Sequence, residues 1–197
     1  MNPVNTVRTV FGLLDETKRG IVPYELAVEA VNRAQREVLH ELHRVGDERG
    51  LRPLTTLTAN LTTGDTVDDV LFVRCGLWYP SGTATLFQGL LAHYVEYDKF
   101  MQHENMPVPN HAPMYYMVYT YVNGVVLFPN RTGDERLRLC YVRNPADFVC
   151  VTNGASPITQ APLELPEEYH FTVCQRAATL LNDLDVEEQG RDGIANL

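Results

Sequence analysis

Six histidines, four cysteines, one polar loop with an acid at its start and a run of tyrosines are the residues of this 197-residue chain with the types to do chemistry. The loop is DETKRGIVPYEL. Counting from Asp15, Gly20 falls sixth, where an EF-hand-type calcium loop needs its glycine. The remaining ligand positions fail: Thr17 and Arg19 stand third and fifth, and Leu26 replaces the closing bidentate acid, with Glu25 one place early. An arginine among ligands repels a cation, so the segment reads as a helix–turn–helix corner whose Gly20 can take positive φ.

His40 and His43 share one helix face, but Glu41 and Leu42 lie between them and no third ligand follows, so they read as solvated cations near a helix C-terminus. His170 falls in the first turn of the last helix and is expected at the surface or at an interface. Cys75, Cys140, Cys150 and Cys174 form no CxxC pair. Each has apolar neighbours, and all four are expected as buried thiols of a reducing compartment. Ser81 and Ser156, the only serines, occupy Gly/Pro turn settings. Neither a GxSxG elbow nor a glycine-rich phosphate loop is present. No catalytic, metal-ligating or cofactor-binding residue follows from these patterns, and no cofactor is expected.

Tyr115, Tyr116, Tyr119 and Tyr121 could form a base-stacking platform or a half-buried strand whose hydroxyls reach water or a partner. Stacking platforms come with adjacent cations, and the nearest here, Lys99 and Arg131, lie across turns. The strand reading is preferred, since tyrosine is enriched in strands and at protein interfaces.

The elements that must hold these residues are helical at the ends and β-rich between. Val7, Val10, Phe11 and Leu14 recur at helical spacing over residues 4–14. Residues 23–44 predict the longest helix, with Pro23 in its first turn and a stripe of Tyr24, Ala27, Val28, Val31, Ala34, Val38 and Leu42. Gly46 and Gly50 are expected to stop it. Thr63-Gly64-Asp65 signals a turn, and residues 70–75 a buried strand. Residues 86–100 read equally as helix or strand. Over residues 114–143 an antiparallel meander is predicted, its first turn at Asn123-Gly124, and residues 148–151 suggest one more strand. Pro166, Glu167 and Glu168 open the last helix, whose apolar face reads Phe171, Cys174, Ala177, Ala178 and Leu181. The acidic tail 186–197 is expected to be mobile.

The fold class expected is therefore α+β: a helical bundle formed by N- and C-terminal helices with an inserted antiparallel β-rich domain. The bundle takes residues 1–50 and 160–185, and the β-rich domain takes 51–159. The net charge of −9 argues against a free-standing nucleic-acid binder. It is compatible with DNA that slides past. No leader and no membrane span is expected, since the N-terminus lacks a basic region followed by an apolar run and no stretch reaches about 18 apolar residues.

Two segments carry a family resemblance. RGIVPYELAVEAVNRAQREVLHEL, with Gly20, Pro23, Tyr24, Glu25, Asn32, Ala34 and Gln35, resembles the N-terminal helical signature of neck ring proteins in crAss-like phages. From residue 113 to 181, the order of Phe128-Pro129, then Tyr141, Arg143 and Pro145, then Leu165-Pro166-Glu167 is similar to head–tail adaptor and tail-tubular, gatekeeper-type proteins. The resemblance implies a structural, non-catalytic virion protein: a helix-plus-β adaptor forming a ring, a dodecamer of roughly twelve copies, below the portal. The implied partners are further copies of the chain, the portal protein, other neck or tail proteins, and passing double-stranded DNA without sequence-specific binding. Assembly would take place in the host cytoplasm and the product would reside in the virion neck or tail. Interface residues are expected at Tyr24, Arg36, His40, Tyr115, Tyr119, Tyr121, Arg143, Glu167 and His170. The alternatives are a virion accessory module attached elsewhere on tail or capsid and, third, a small enzyme.

Overall fold

The computed structural model describes residues 3–79, 90–104, 114–120, 123–127, 135–149, 151–152, 157–158 and 162–184. It is a mixed α+β chain that divides into two compact units, one of Met1–Leu54 with Pro145–Leu197, the other of Thr55–Asn144.

The first unit is built on α1 (Pro3–Leu13), α2 (Tyr24–Val45), α3 (Glu48–Leu51) and, last in the chain, α5 (Glu167–Asn182). Pro23 sits just outside α2 with extended backbone, φ −64° and ψ 151°, so the helix begins at Tyr24. A proline there has no N–H to leave unsatisfied. The far end is closed by Gly46 in the left-handed conformation, φ 74°, whose N–H reaches the last carbonyls. Gly50 does not stop α2. It lies inside α3, where an added Cβ would meet Leu42 and come within 3.2 Å of the Tyr169 ring. α2 and α5 run antiparallel, since Tyr169 meets Asp47 just past α2 while Arg176 meets Glu41 and Glu37 about two to three turns earlier. Small residues are buried on both helices: Ala27, Ala30 and Ala34 on α2 and Cys174, Ala177 and Ala178 on α5. Val7 and Val10 of α1 are fully buried as well, and α1 packs on both α2 and α5.

The Asp15–Gly20 turn, which counts like half a calcium loop, is a double helix cap. Arg19 donates from Nε to the Leu14 carbonyl at 2.9 Å and from Nη2 to the Gly12 carbonyl at 2.9 Å, closing α1. Lys18 donates from Nζ to the Leu181, Asn182 and Leu184 carbonyls, closing α5. Cations at carbonyl-rich helix ends satisfy orphan acceptors and oppose the helix dipole. Gly20 keeps negative φ; the glycines with positive φ among the described residues are Gly46 and Gly64.

The second unit carries a seven-stranded sheet. Its strands are β1 (Thr55–Leu57), β2 (Thr66–Asp68), β3 (Val70–Tyr79), β4 (Leu90–Tyr94), β5 (Met114–Thr120), β6 (Asn123–Leu127) and β7 (Arg136–Arg143), in the order β1-β7-β3-β4-β5-β6-β2. Of residues 86–100, which read as either helix or strand, 86–89 lie outside the described residues, Leu90–Tyr94 form β4, and 97–100 begin a short helix, α4 (Tyr97–Glu104).

Three expectations are corrected here. The sheet is not wholly antiparallel, because β4 and β5 pair in parallel. The segment 114–143 is not a meander: β7 leaves β6 and lies between β1 and β3, while β2 takes the place beside β6. Asn123-Gly124 is not the turn, because Thr120 pairs with Asn123 and Tyr119 with Gly124. Gly124 is buried between two neighbours, with Tyr119 opposite on one side and Val67 on the other.

Two register shifts interrupt the β3–β7 ladder, each passing one extra β3 residue, Leu71 and then Arg74. Such bulges reset the two-residue alternation. That is why every side chain from Val70 to Cys75 is half-buried instead of alternating. The core of this unit gathers Leu61, Val67, Ala92, Tyr115, Met117, Leu137 and Leu139. The strand expected over 148–151 starts later: Phe148 lies outside it, and Val151–Thr152 pairs with Pro157–Ile158. The acidic tail 186–197 lies outside the described residues.

Candidate interface surface

On the helical unit the charged side chains collect along one side of the α2–α5 pair. Arg33 Nε bonds Glu37 Oε1 at 2.8 Å, Arg176 Nη2 bonds Glu41 Oε2 at 3.0 Å, and Arg176 Nε lies 3.8 Å from Glu37 Oε2. Exposed His40 and Arg44 border the same depression, a shallow hollow of about 370 Å³. A further ion pair, Arg36 with Asp147, ties α2 to the segment before α5. Exposed pairs of this kind contribute little to stability, about 0–1 kcal/mol each. Their weight lies in presenting a mixed-sign face.

At the end of α2 Tyr169 donates its hydroxyl to Asp47 Oδ2 at 2.6 Å. Asp47 also accepts from the Arg49 N–H, capping α3. The Tyr169 hydroxyl bond holds the Asp47 carboxyl below its usual range, and the same bond pushes the Tyr169 phenol up to about 12. Burial raises the Cys174 thiol to about 11.

In the sheet the middle strand, β4, is largely exposed. Leu90, Leu91 and Tyr94 of β4 are 53%, 56% and 55% exposed, although β4 has neighbours on both edges. Among the described residues β4 pairs with β3 over Gly76–Trp78, and His93 and Tyr94 then pair with β5. A cavity of about 550 Å³ opens between the diverging strands, bordered by Val73, Cys75, His93, Tyr94, Tyr115 and Met117.

The sequence-predicted interface residues are scattered over these surroundings. Tyr24 is half-buried, its ring 6.4 Å from that of Phe11 and stacked at 26°. Arg36 is in its ion pair, His40 is exposed in the charged hollow, and Glu167 is exposed at the first residue of α5. Arg143 is half-buried at the end of β7 and donates to the Asn144 carbonyl at 3.2 Å. Tyr119 sits on β5 opposite Gly124, and Tyr121 lies outside the described residues.

Two placements depart from expectation. Tyr115 is 2% exposed, wedged over Gly76 and edge-on to Tyr94 at 5.7 Å, so it is core. His170 is 6% exposed with Nε2 2.7 Å from the Leu165 carbonyl, so it is interior, and Phe171 beside it is the exposed one at 51%. The carbonyl of Leu165, left without a helical partner just before α5, is what lets an imidazole occupy that inner position. Cys75 and Cys140 are half-buried, Cys174 is buried, and Cys150 lies outside the described residues.

Among the described residues no group of three or more His, Cys, Asp or Glu side chains is gathered as a metal site, and no helix is long and apolar enough to cross a membrane. No protein-family model and no curated protein matches the chain.

Proposed function

We propose that the chain is a structural, non-catalytic subunit of the neck ring that joins head to tail in a tailed bacteriophage, made in the host cytoplasm and carried in the virion. The observation that carries the reading is the pair of chemically unlike exposed surfaces. One is the mixed-charge face of α2 and α5, and the other is the apolar strand β4. A closed ring uses head-to-tail contacts, so each subunit needs two different surfaces. An exposed apolar strand suits burial against a partner. The ordered resemblance of the two segments, residues 19–42 and 113–181, supports the same reading. In this arrangement the mixed-charge helices of one subunit meet β4 of the next, and the rest of the inserted β domain faces a neighbouring virion protein. The net charge of −9 would let DNA pass the bore without adhering.

Native mass spectrometry and negative-stain microscopy of the purified chain, alone and with portal protein, test this. A closed ring of roughly twelve copies that docks on portal is expected. A monomer that never joins portal sinks the ring, and attachment to another virion part moves the chain to the accessory class. A charge map of the ring showing a basic, phosphate-contacting bore would overturn the free passage of DNA.

A further inference from the structure

We propose that Cys75 and Cys140 are a closable thiol pair, an internal disulfide site between β3 and β7 that reacts with a small-molecule disulfide. The two residues are direct cross-strand partners, so their side chains leave the sheet on the same face. Directly opposed antiparallel residues have Cα atoms roughly 4.5–5.5 Å apart, within the roughly 4.4–6.8 Å that a disulfide spans. The bulge at Arg74 creates the pairing. Without that extra residue the register would carry Arg74 to Cys140, and Cys75 would face Leu139 across the core side.

Both thiols are free and half-buried, so they are sheltered yet reachable. Cys75 also borders the 550 Å³ cavity between β3 and β4, which gives a small disulfide a way in. Burial, followed by the neighbouring Cys140, raises the Cys75 thiol, so its attack on a disulfide quickens as pH rises. Cys174, in the other unit, bonds the Thr6 carbonyl at 3.8 Å and has no such partner thiol among the described residues.

The reaction is thiol–disulfide exchange. The Cys75 thiolate attacks one sulfur of oxidised glutathione, forming a mixed disulfide and releasing one glutathione thiolate. Cys140 then attacks the Cys75 sulfur, closing the protein disulfide and releasing the second. Two protein thiols are oxidised, one small-molecule disulfide is reduced to two thiols, and the two protons lost by the cysteines go to the two leaving thiolates. The closed link would span 65 residues and fix the bulged register of β3 on β7.

The test incubates the full chain with oxidised glutathione at mildly alkaline pH. The expected product is about 2 Da lighter, maps by peptide mass to a Cys75–Cys140 link and melts about 10 °C higher, with dithiothreitol reversing all three. Cys75→Ala and Cys140→Ala each remove the link, while the Cys150→Ser/Cys174→Ala double variant keeps it. Mapping of the unsubstituted chain stands even if a variant folds poorly. A glutathione adduct that persists on Cys75, a link to Cys150 or Cys174, or a chain that keeps all its thiols overturns the proposal.

Discussion

The side-chain amide of Asn32 faces the backbone of Phe148 as a second peptide group would: its Oδ1 accepts from the Phe148 N–H at 2.7 Å and its Nδ2 donates to the Phe148 carbonyl at 3.0 Å. Phe148 is 2% exposed and lies outside any strand, so its backbone needs these partners. Asn32→Leu leaves two peptide groups unsatisfied and is expected to cost about 2–3 kcal/mol in urea unfolding. Asn32→Asp removes only the donor, and a smaller loss is expected.

Gln35 gives the opposite sign. It is fully buried on α2, and among the described residues neither its Oε1 nor its Nε2 has a hydrogen-bond partner. An unsatisfied buried amide costs free energy that an apolar side chain of similar length does not. Gln35→Met is expected to raise the unfolding midpoint by an amount equal to about 1 kcal/mol, and a loss of stability would show that the amide is satisfied.

Asp47 and Tyr169 set two pH limits on one bond. The Asp47 carboxyl is depressed below its ordinary 3.8, so its contribution is present above that value and fades as pH falls through the lower folded one. The Tyr169 phenol is raised, so its contribution is complete below its ordinary 10.0 and is lost as pH climbs toward about 12. Thermal melts from pH 2 to pH 12 on the native chain and Tyr169→Phe should differ most between these limits and converge outside them. Parallel curves across the whole range would refute the assignment.

Lys18 holds the end of α5 through three carbonyls. Lys18→Met keeps the stem and removes the donors. It is expected to cost about 1–2 kcal/mol and to speed amide exchange in the last turn of α5 far more than in its first.

β4 supplies the assembly test at residue level. Leu90→Glu/Leu91→Glu places charge on two side chains that are already more than half exposed. The monomer should keep its circular dichroism and melting temperature, and the ring should fail to close. Unchanged assembly would move the subunit contact away from β4.

The helices were readable because their signal is local. Ala27, Val31, Ala34, Val38 and Leu42 repeat within one element, and all are buried as their spacing demands. The sheet order was not readable, because a strand's neighbour is chosen by long-range packing. β7 pairs with β1 and β3, whose partner residues lie 57 to 87 positions earlier, and nothing inside Arg136–Arg143 says so. The Asn123-Gly124 signal failed because both residues are already paired in β6, with strands on either side. Of the interface residues, Glu167 and His40 are exposed, whereas Tyr115 and His170 are held inside by Gly76 and the Leu165 carbonyl. The Lys18 cap was hidden for the same long-range reason.

That cap also orders events during synthesis. Lys18 is made early, and its acceptor on Leu181 follows 163 residues later. The α1 and α2 helices therefore leave the ribosome with the face that α5 will cover still open, and they wait through the translation of every strand. Thr55–Asn144 has all its pairing partners in hand well before α5 exists. Closure of the helical unit waits for α5, so a product truncated before Glu167 would keep its apolar α1–α2 face bare and prone to aggregation.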